Sequence, residues 1–319
     1  MRYQLPTPNS PLHTVHKTHS IKKVKQHRAK VQGYKHIVAK NNAEHLEDVN
    51  MTAKYIVIDH QKCVRCSLCV KDCTNFVLSL VGDRVVPLND NCIRCGHCEA
   101  ICPQNAIKLD LASEGYIDDV EPCLPSESSF TAEQFLKTLK SRRSIRHFRE
   151  EPIDPTIISK ILEAGRFTPT AANRQSVSYI ILDREKEHFQ KVIMDNFRSI
   201  ARFFSKFDKW LNLPIDLKKL SRAKDAFLFK NAPIVILIIA NNKLDGGLAS
   251  ANIENMANSM GLGVLHVGFF THLAQYNFRI RRELGLKFRQ NIVDCLAIGY
   301  PAVKYQRTAQ RKAAEITWK

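Results

Sequence analysis

The chain has 319 residues, 44% of them hydrophobic and 25% charged, the composition of a soluble globular protein with length for two or three domains. The net charge of +17 is uneven: residues 1–50 hold nine basic against three acidic side chains, 51–125 hold seven against ten, and 126–319 hold thirty-two against eighteen. No zinc-finger, KH or RRM signature focuses this surplus, so it is assigned to an anionic cofactor and a solvated surface rather than to nucleic acid. The longest apolar run, Ile234 to Ala240, is too short to cross a bilayer, and the N-terminus lacks an apolar signal region, which predicts a cytoplasmic protein with no membrane partner.

Residues 1–50 carry six of the twelve histidines, no acidic residue before Glu44, and little apolar periodicity. Such a segment buries too little surface to offset its ordering entropy, so it is expected to be a basic, disordered extension with at most a short helix near Ile21 to Val31. Targeting and metal-binding readings are weaker, because Arg and Ser are scarce, and initiation at Met51 is a further possibility.

Residues 51–112 form the next predicted domain. Cys63, Cys66, Cys69 and Cys73 follow the spacing C-x2-C-x2-C-x3-C, and Cys92, Cys95, Cys98 and Cys102 repeat it 29 residues later. Three thiolates so closely spaced can wrap one face of an inorganic cube, while the fourth points towards a second. The ligand sets therefore cross over: Cys63, Cys66 and Cys69 with Cys102, and Cys92, Cys95 and Cys98 with Cys73. Zinc prefers two separated C-x2-C pairs, and a disulfide framework needs an oxidising compartment, so two 4Fe-4S clusters fit best. This stretch resembles the bacterial two-cluster ferredoxins. Val77 to Leu80 and Val85 to Leu88 flank Gly82-Asp83 as a hairpin, and Ala106 to Leu109 should pair with Tyr55 to Ile58.

Residues 113–129 are acidic and broken by Pro122 and Pro125, the pattern of an interdomain linker, and Cys123 within them is a bystander. From 130 to 319 a second domain is expected. Thr131 and Gln134 have capping-box spacing, and Asp154-Pro155 opens an amphipathic helix that runs to about Arg166. A loop, Thr168 to Gln175, precedes a strand, Ser178 to Leu182. Asp245-Gly246 precedes a helix from Leu248 to Met260, and Ile292 to Ile298 is a strand with Cys295 buried in it. Phe203, Phe204, Phe207 and Trp210 have the spacing of core or dimer-interface positions, and His266 reads as a structurally satisfied histidine.

Arg142, Arg143, Ser144 and Arg146 are phosphate-compatible donors. The motif R-R-S-x-R-x-F some 25 residues before P-T-A-A-N-x-Q resembles the nitroreductase family of FMN enzymes, from about Phe130 to Arg311. The resemblance implies an α+β fold with a central, mostly antiparallel sheet and FMN as cofactor. By the same resemblance, Arg142, Arg143, Ser144 and Arg146 hold the phosphate and ribityl chain, with Lys304 and Arg307 closing the other side. Asn173 and Gln175 would reach the flavin, and Gly268 would face the ring edge near N5. Neither G-x-G-x-x-G nor G-x-x-x-x-G-K-[ST] occurs, so no Rossmann-type nicotinamide site is expected.

Together these readings imply an iron-sulfur flavoprotein that passes electrons from two clusters through FMN to an electron-poor organic acceptor such as a nitroaromatic or a quinone. The donor is expected to be reduced ferredoxin, or a nicotinamide cofactor acting through a reductase, and the assembly a homodimer. Hydride-type delivery needs no protein nucleophile, so no catalytic acid or base is assigned. Rival readings are a non-catalytic electron carrier or redox sensor, or dehalogenation, enone reduction or dehydrogenation on the same fold.

Overall fold

The computed structural model describes residues 54–122, 131–204 and 228–319, with the side chains of 200–204 outside the description. The expected helix near Ile21 to Val31, Cys123, Phe207 and Trp210 lie outside the described residues. The described residues divide into two compact units, one of 54–92 with 96–110, the other of 93–95 with the described residues from 111 on.

The first unit contains β1 (Ile56–Ile58), α1 (Leu68–Asp72), β2 (Leu78–Val81), β3 (Arg84–Pro87), α2 (His97–Ala100) and β4 (Ile107–Leu109). β1 and β4 are antiparallel, with Ile56 opposite Leu109 and Ile58 opposite Ile107, as the sequence predicts. β2 and β3 form the expected hairpin, Leu78 opposite Pro87 and Val81 opposite Arg84. Gly82 turns it at φ +57°, a conformation that costs a glycine little.

The duplication seen in the cysteine spacing is also a backbone duplication. Arg65, Ser67 and Phe76 adopt positive φ, and so do Arg94, Gly96 and Asn105, each 29 residues later. Side-chain geometry repeats with it: the Val77 amide donates to Cys73 Sγ at 3.4 Å, and the Ala106 amide donates to Cys102 Sγ at 3.2 Å.

The second unit contains α3 (Ala132–Ser141), α4 (Pro155–Arg166), β5 (Ser178–Leu182), α5 (Lys186–Phe204), β6 (Ile234–Ala240), α6 (Lys243–Ser259), β7 (Gly263–His266), α7 (Gly268–Tyr276), α8 (Phe278–Glu283) and β8 (Asn291–Gly299). The predicted caps are present: Thr131 and Gln134 form a reciprocal capping box on α3, and Asp154 caps α4 with Pro155 at its first position. α6 corrects the sequence reading. It starts at Lys243, capped by Asn242, so Asp245 and Gly246 lie inside its first turn rather than before it. The asparagine side chain accepts from the Leu244 amide at 2.9 Å, an N-cap signal that the glycine pair obscured.

The four strands pair in the order β5-β6-β8-β7, all antiparallel. β6 is buried along its whole length because helices cover both of its faces. On one side Val235, Leu237 and Ile239 meet Phe189 and Ile193 of α5, Phe270 of α7 and Ile280 of α8. On the other, Ile234, Ile236 and Ile238 meet Ile161 of α4 and Ala249, Ile253 and Ala257 of α6. This α+β sandwich explains the unbroken apolar run: a strand covered on both faces has no polar side to alternate with. Among the described residues no helix is long and apolar enough to cross a membrane.

Candidate redox centres

One cavity of the first unit is lined by Cys63, Cys66, Cys69 and Cys102. Three of these come from the first copy of the motif and the fourth from the second. Ile58, Leu68, Val85, Pro103, Ala106 and Ile107 supply apolar walls. Burial pushes the Cys69 thiol up, and the neighbouring Cys102, Cys63 and Cys66 add to that. Among the described residues no group of three His, Cys, Asp or Glu side chains is arranged to hold a single metal ion. The donor set and the hollow both suit a cube of iron and sulfide. Of the other four cysteines, Cys98 packs against the core of Leu78, Val85 and Ile107, and Cys73 accepts the Val77 amide.

In the second unit the arginine-rich segment after α3 is an edge strip. Ser144 bridges to Val264 in β7, the Ile145 amide donates to Val264 O at 3.0 Å, and Phe148 pairs with Pro301. Its apolar residues anchor it: Ile145 lies so close to Gly263 that a Cβ there would come within 2.3 Å of it, and Phe148 lies against Gly299 in the same way. Of the polar residues of the same motif, Arg146 is exposed and Arg143 and Ser144 are half-buried. Arg143 stacks over Tyr305, 5.2 Å from the ring centre, and Tyr305 lies in sequence between Lys304 and Arg307. The fold thus brings the first group of expected phosphate donors towards the last. Burial lowers the Lys230 ammonium, and the charge of Arg146 lowers it further.

Arg142 takes a different position. Its Nη1 donates to Glu254 Oε1 at 2.7 Å, and Glu254 is almost wholly buried on α6. The other carboxylate oxygen meets His266 Nε2 at 3.3 Å, and His266 Nδ1 lies 2.6 Å from Asp294 Oδ2, which also accepts from Ser250 Oγ at 2.5 Å. The result is a row of alternating charges that joins α3, α6, β7 and β8. The imidazole is pushed up to about 10, first by the bond to Asp294 and then by that to Glu254. Burial pushes both carboxyls up, but His266 together with Arg142 at Glu254, and His266 together with Ser250 and the Cys295 amide at Asp294, outweigh it, and each carboxyl is lowered. His266 is thus a satisfied structural residue, as expected, yet its partners were not foreseen. The available signal was Asp245 and Glu254, the two acidic side chains of a helix whose one other charged residue is Lys243.

α6 also holds the loop of Asn173 and Gln175. The Asp245 carboxylate accepts from the Ala171 amide at 3.3 Å, and Asn252 donates to Thr168 Oγ1 at 2.9 Å. Residues 171–173 form one turn of 3-10 helix, and Ala172, Asn173 and Gln175 all have positive φ. Gln175 Nε2 donates to Asn173 Oδ1 at 3.3 Å, so these two expected site residues meet. The Asn173 side-chain amide donates to Ile93 O at 3.2 Å and to Arg94 O at 2.8 Å. Gly268 opens α7, and a Cβ on it would meet nothing within 4 Å, so the helix begins beside open space.

Residues 139–300, just over half of the chain, match the model of the nitroreductase family. Residues 55–103 match the model of a 4Fe-4S dicluster domain. Over 58 residues the chain is 38% identical to an uncharacterised ferredoxin of Methanocaldococcus jannaschii, covering 17% of this chain and 94% of that one. Over 188 residues it is 23% identical to iodotyrosine deiodinase 1 of Rattus norvegicus, covering 55% of this chain and 65% of the relative, so it spans less than two thirds of that protein. A crystal structure of a nitroreductase with bound FMN from Bacteroides fragilis is similar at 17% identity and a TM-score of 0.46, covering 57% of this chain and 98% of that one.

Proposed function

Since the chain belongs to the nitroreductase family and carries a 4Fe-4S dicluster domain ahead of the matched segment, we propose that it is an iron-sulfur flavoprotein oxidoreductase. In this reading single electrons enter two 4Fe-4S clusters, pass to FMN, and leave to an electron-poor organic acceptor such as a nitroaromatic or a quinone. The observation that carries it is the cavity in which Cys102 of one motif copy joins Cys63, Cys66 and Cys69 of the other. That arrangement supports the crossed ligation and, with it, a cluster-bearing module fused to a flavoenzyme. Reduced ferredoxin, or a nicotinamide cofactor through a reductase, would be the donor. Persistent thiolates suit a cytoplasmic setting, and a homodimer is the assembly proposed.

Bound FMN supplies the change from one-electron to two-electron chemistry. This chain's residues bind and orient it. Arg143, Ser144 and Arg146 hold the phosphate from the edge strip, with Lys304 and Arg307 closing over it, because guanidinium forks match phosphate oxygens. Arg142 keeps donors free for the same group while Glu254 fixes its direction. Asn173 and Gln175 approach the ring from the left-handed loop. Gly268 keeps side-chain atoms out of the space at the start of α7, where ring and acceptor would meet.

The test is anaerobic purification followed by iron, sulfide and flavin assay, with about eight iron and eight sulfide expected per chain. Arg143→Ala with Arg146→Ala is expected to weaken FMN binding by about a hundredfold or more, as two charge-assisted phosphate contacts go. Arg142 is left intact because its removal would strand buried Glu254. Unchanged flavin content in the double variant would place the phosphate elsewhere, and zinc without sulfide would remove the clusters. A second reading, reductive dehalogenation, is favoured by the likeness to the deiodinase. An acceptor panel containing a nitroaromatic, a quinone and an iodinated phenol separates the two.

A further inference from the structure

Three aromatic side chains stand in solvent, Tyr276 and Phe278 where α7 gives way to α8 and Phe288 in the loop after α8. Tyr276 is 76% exposed, Phe278 78% and Phe288 97%. A phenylalanine with nearly all of its surface in water protrudes from the fold and lines no groove. The segment that carries these residues is firmly built. Asn277 caps α8 through the Ile280 amide at 3.0 Å, Ile280 is fully buried, and Leu284 and Leu286 pack on the core beside it. Arg281 Nη2 donates to Lys287 O and to Gln290 O, each at 3.0 Å, which fastens the loop bearing Phe288 to α8. The exposed aromatics are therefore a fixed feature of the surface.

Charge surrounds them. Arg279 follows Phe278, Arg282 lies one helical turn on, and Lys287 and Arg289 flank Phe288, all four exposed. The one acidic residue between Tyr276 and Gln290 is Glu283, which is held by Arg279 at 2.8 Å and by His188 at 2.9 Å. We propose that this aromatic and basic face binds an anionic lipid surface, with Phe278 and Phe288 entering the headgroup region and the four cations meeting lipid phosphate and carboxylate. Protruding aromatics suit a soft interface, which needs no matching pocket, and flanking Lys and Arg side chains extend towards anionic headgroups while their stems stay in apolar surroundings. Association of this kind lies on the membrane and needs no spanning segment. Charge complementarity selects lipid of net negative charge over zwitterionic lipid.

The inference does not depend on the proposed electron path and can fail separately from it. The experiment is co-sedimentation of the full cofactor-loaded chain with vesicles of phosphatidylserine and phosphatidylcholine in equal parts, and with vesicles of phosphatidylcholine alone. Sedimentation is expected with the anionic vesicles only, reduced by added salt. Phe278→Ser with Phe288→Ser, and separately Arg282→Glu with Arg289→Glu, are each expected to lower partitioning by about tenfold or more, with visible spectrum and unfolding temperature unchanged. Undiminished binding in both variants would locate the lipid contact in another basic segment, such as residues 1–50, and overturn the proposal. It is equally overturned if no vesicle binding occurs, or if the same variants instead abolish capture of an acidic protein or self-association.

Discussion

In the first unit the core cluster consists of Leu78, Val85 and Ile107, with Cys63, Cys69, Cys98 and Cys102 packed directly against it. In the second, two apolar clusters sandwich a sheet whose β6 is buried along its whole length. A unit of fewer than about 60 described residues buries little apolar surface and is marginal by itself, and in the proposed reading its cysteines, as cluster ligands, would make the metal chemistry part of its core. The second unit folds by burial, and its polar network is an addition to a stable frame. On the proposed reading, the same chain would use cofactor binding as structure at one end and as chemistry at the other.

The sharpest break is the pair Cys66→Ser and Cys95→Ser. Turnover driven by reduced ferredoxin is expected to fall by more than about a hundredfold, and hydrogen exchange in residues 54–110 to lose its protection. Protection in β6 and β8, and transfer from dithionite-reduced flavin to a nitroaromatic, should persist. Full ferredoxin-driven activity in this variant would end the relay reading, and loss of protection in both units would end the comparison.

Next in size is Leu237→Ala at the centre of β6. It deletes fully buried atoms and should cost about 2–5 kcal/mol, read as a lower denaturant midpoint for the second unit with the iron content of the first unchanged. A cost near zero would mean that the two-sided core is not what holds this unit.

The charge row on α6 gives a smaller effect with a definite pH signature. His266 is raised from 6.5 to about 10, so the folded state keeps a proton that the unfolded chain loses. That stabilisation is complete below pH 6.5 and disappears as pH climbs through about 10. Glu254 and Asp294 are lowered, so their share is present above the ordinary carboxylate range and disappears on acidification. His266→Gln should therefore cost about 1–2 kcal/mol in mildly acidic solution, allowing for solvent screening of a partly exposed ring. Thermal melts of both proteins should converge towards pH 10. A gap that stayed constant across that range would assign the loss to packing.

Smallest of all is removal of residues 1–50, which is expected to leave cofactor content and turnover within about twofold, since so polar a segment adds little to a core. A collapse of soluble yield would show that it packs on one of the units.

Local rules suffice for features made by near neighbours. The cysteine spacing repeats as a 29-residue copy of left-handed backbone positions, and the caps at Thr131 and Asp154 appear where short-range hydrogen bonding requires them. The apolar run Ile234 to Ala240 stood out in the sequence only as too short to cross a bilayer, because a short run without alternation does not tell a buried strand from a buried helix; that it is the strand β6 was decided by the fold. Even the motif around Arg142 to Phe148 could be singled out, since its donors stand close together in sequence. What tertiary structure alone decided are the meetings of distant residues. Glu254 captures Arg142 across 112 positions. Asp294 captures His266, Asp245 pins the turn before Asn173, and Ile145 needs the bare backbone of Gly263. A helix sequence records that Asp245 and Glu254 are acidic, but their burial and their partners, and the lowered pKa of Glu254, exist only once the sheet has placed four elements around them.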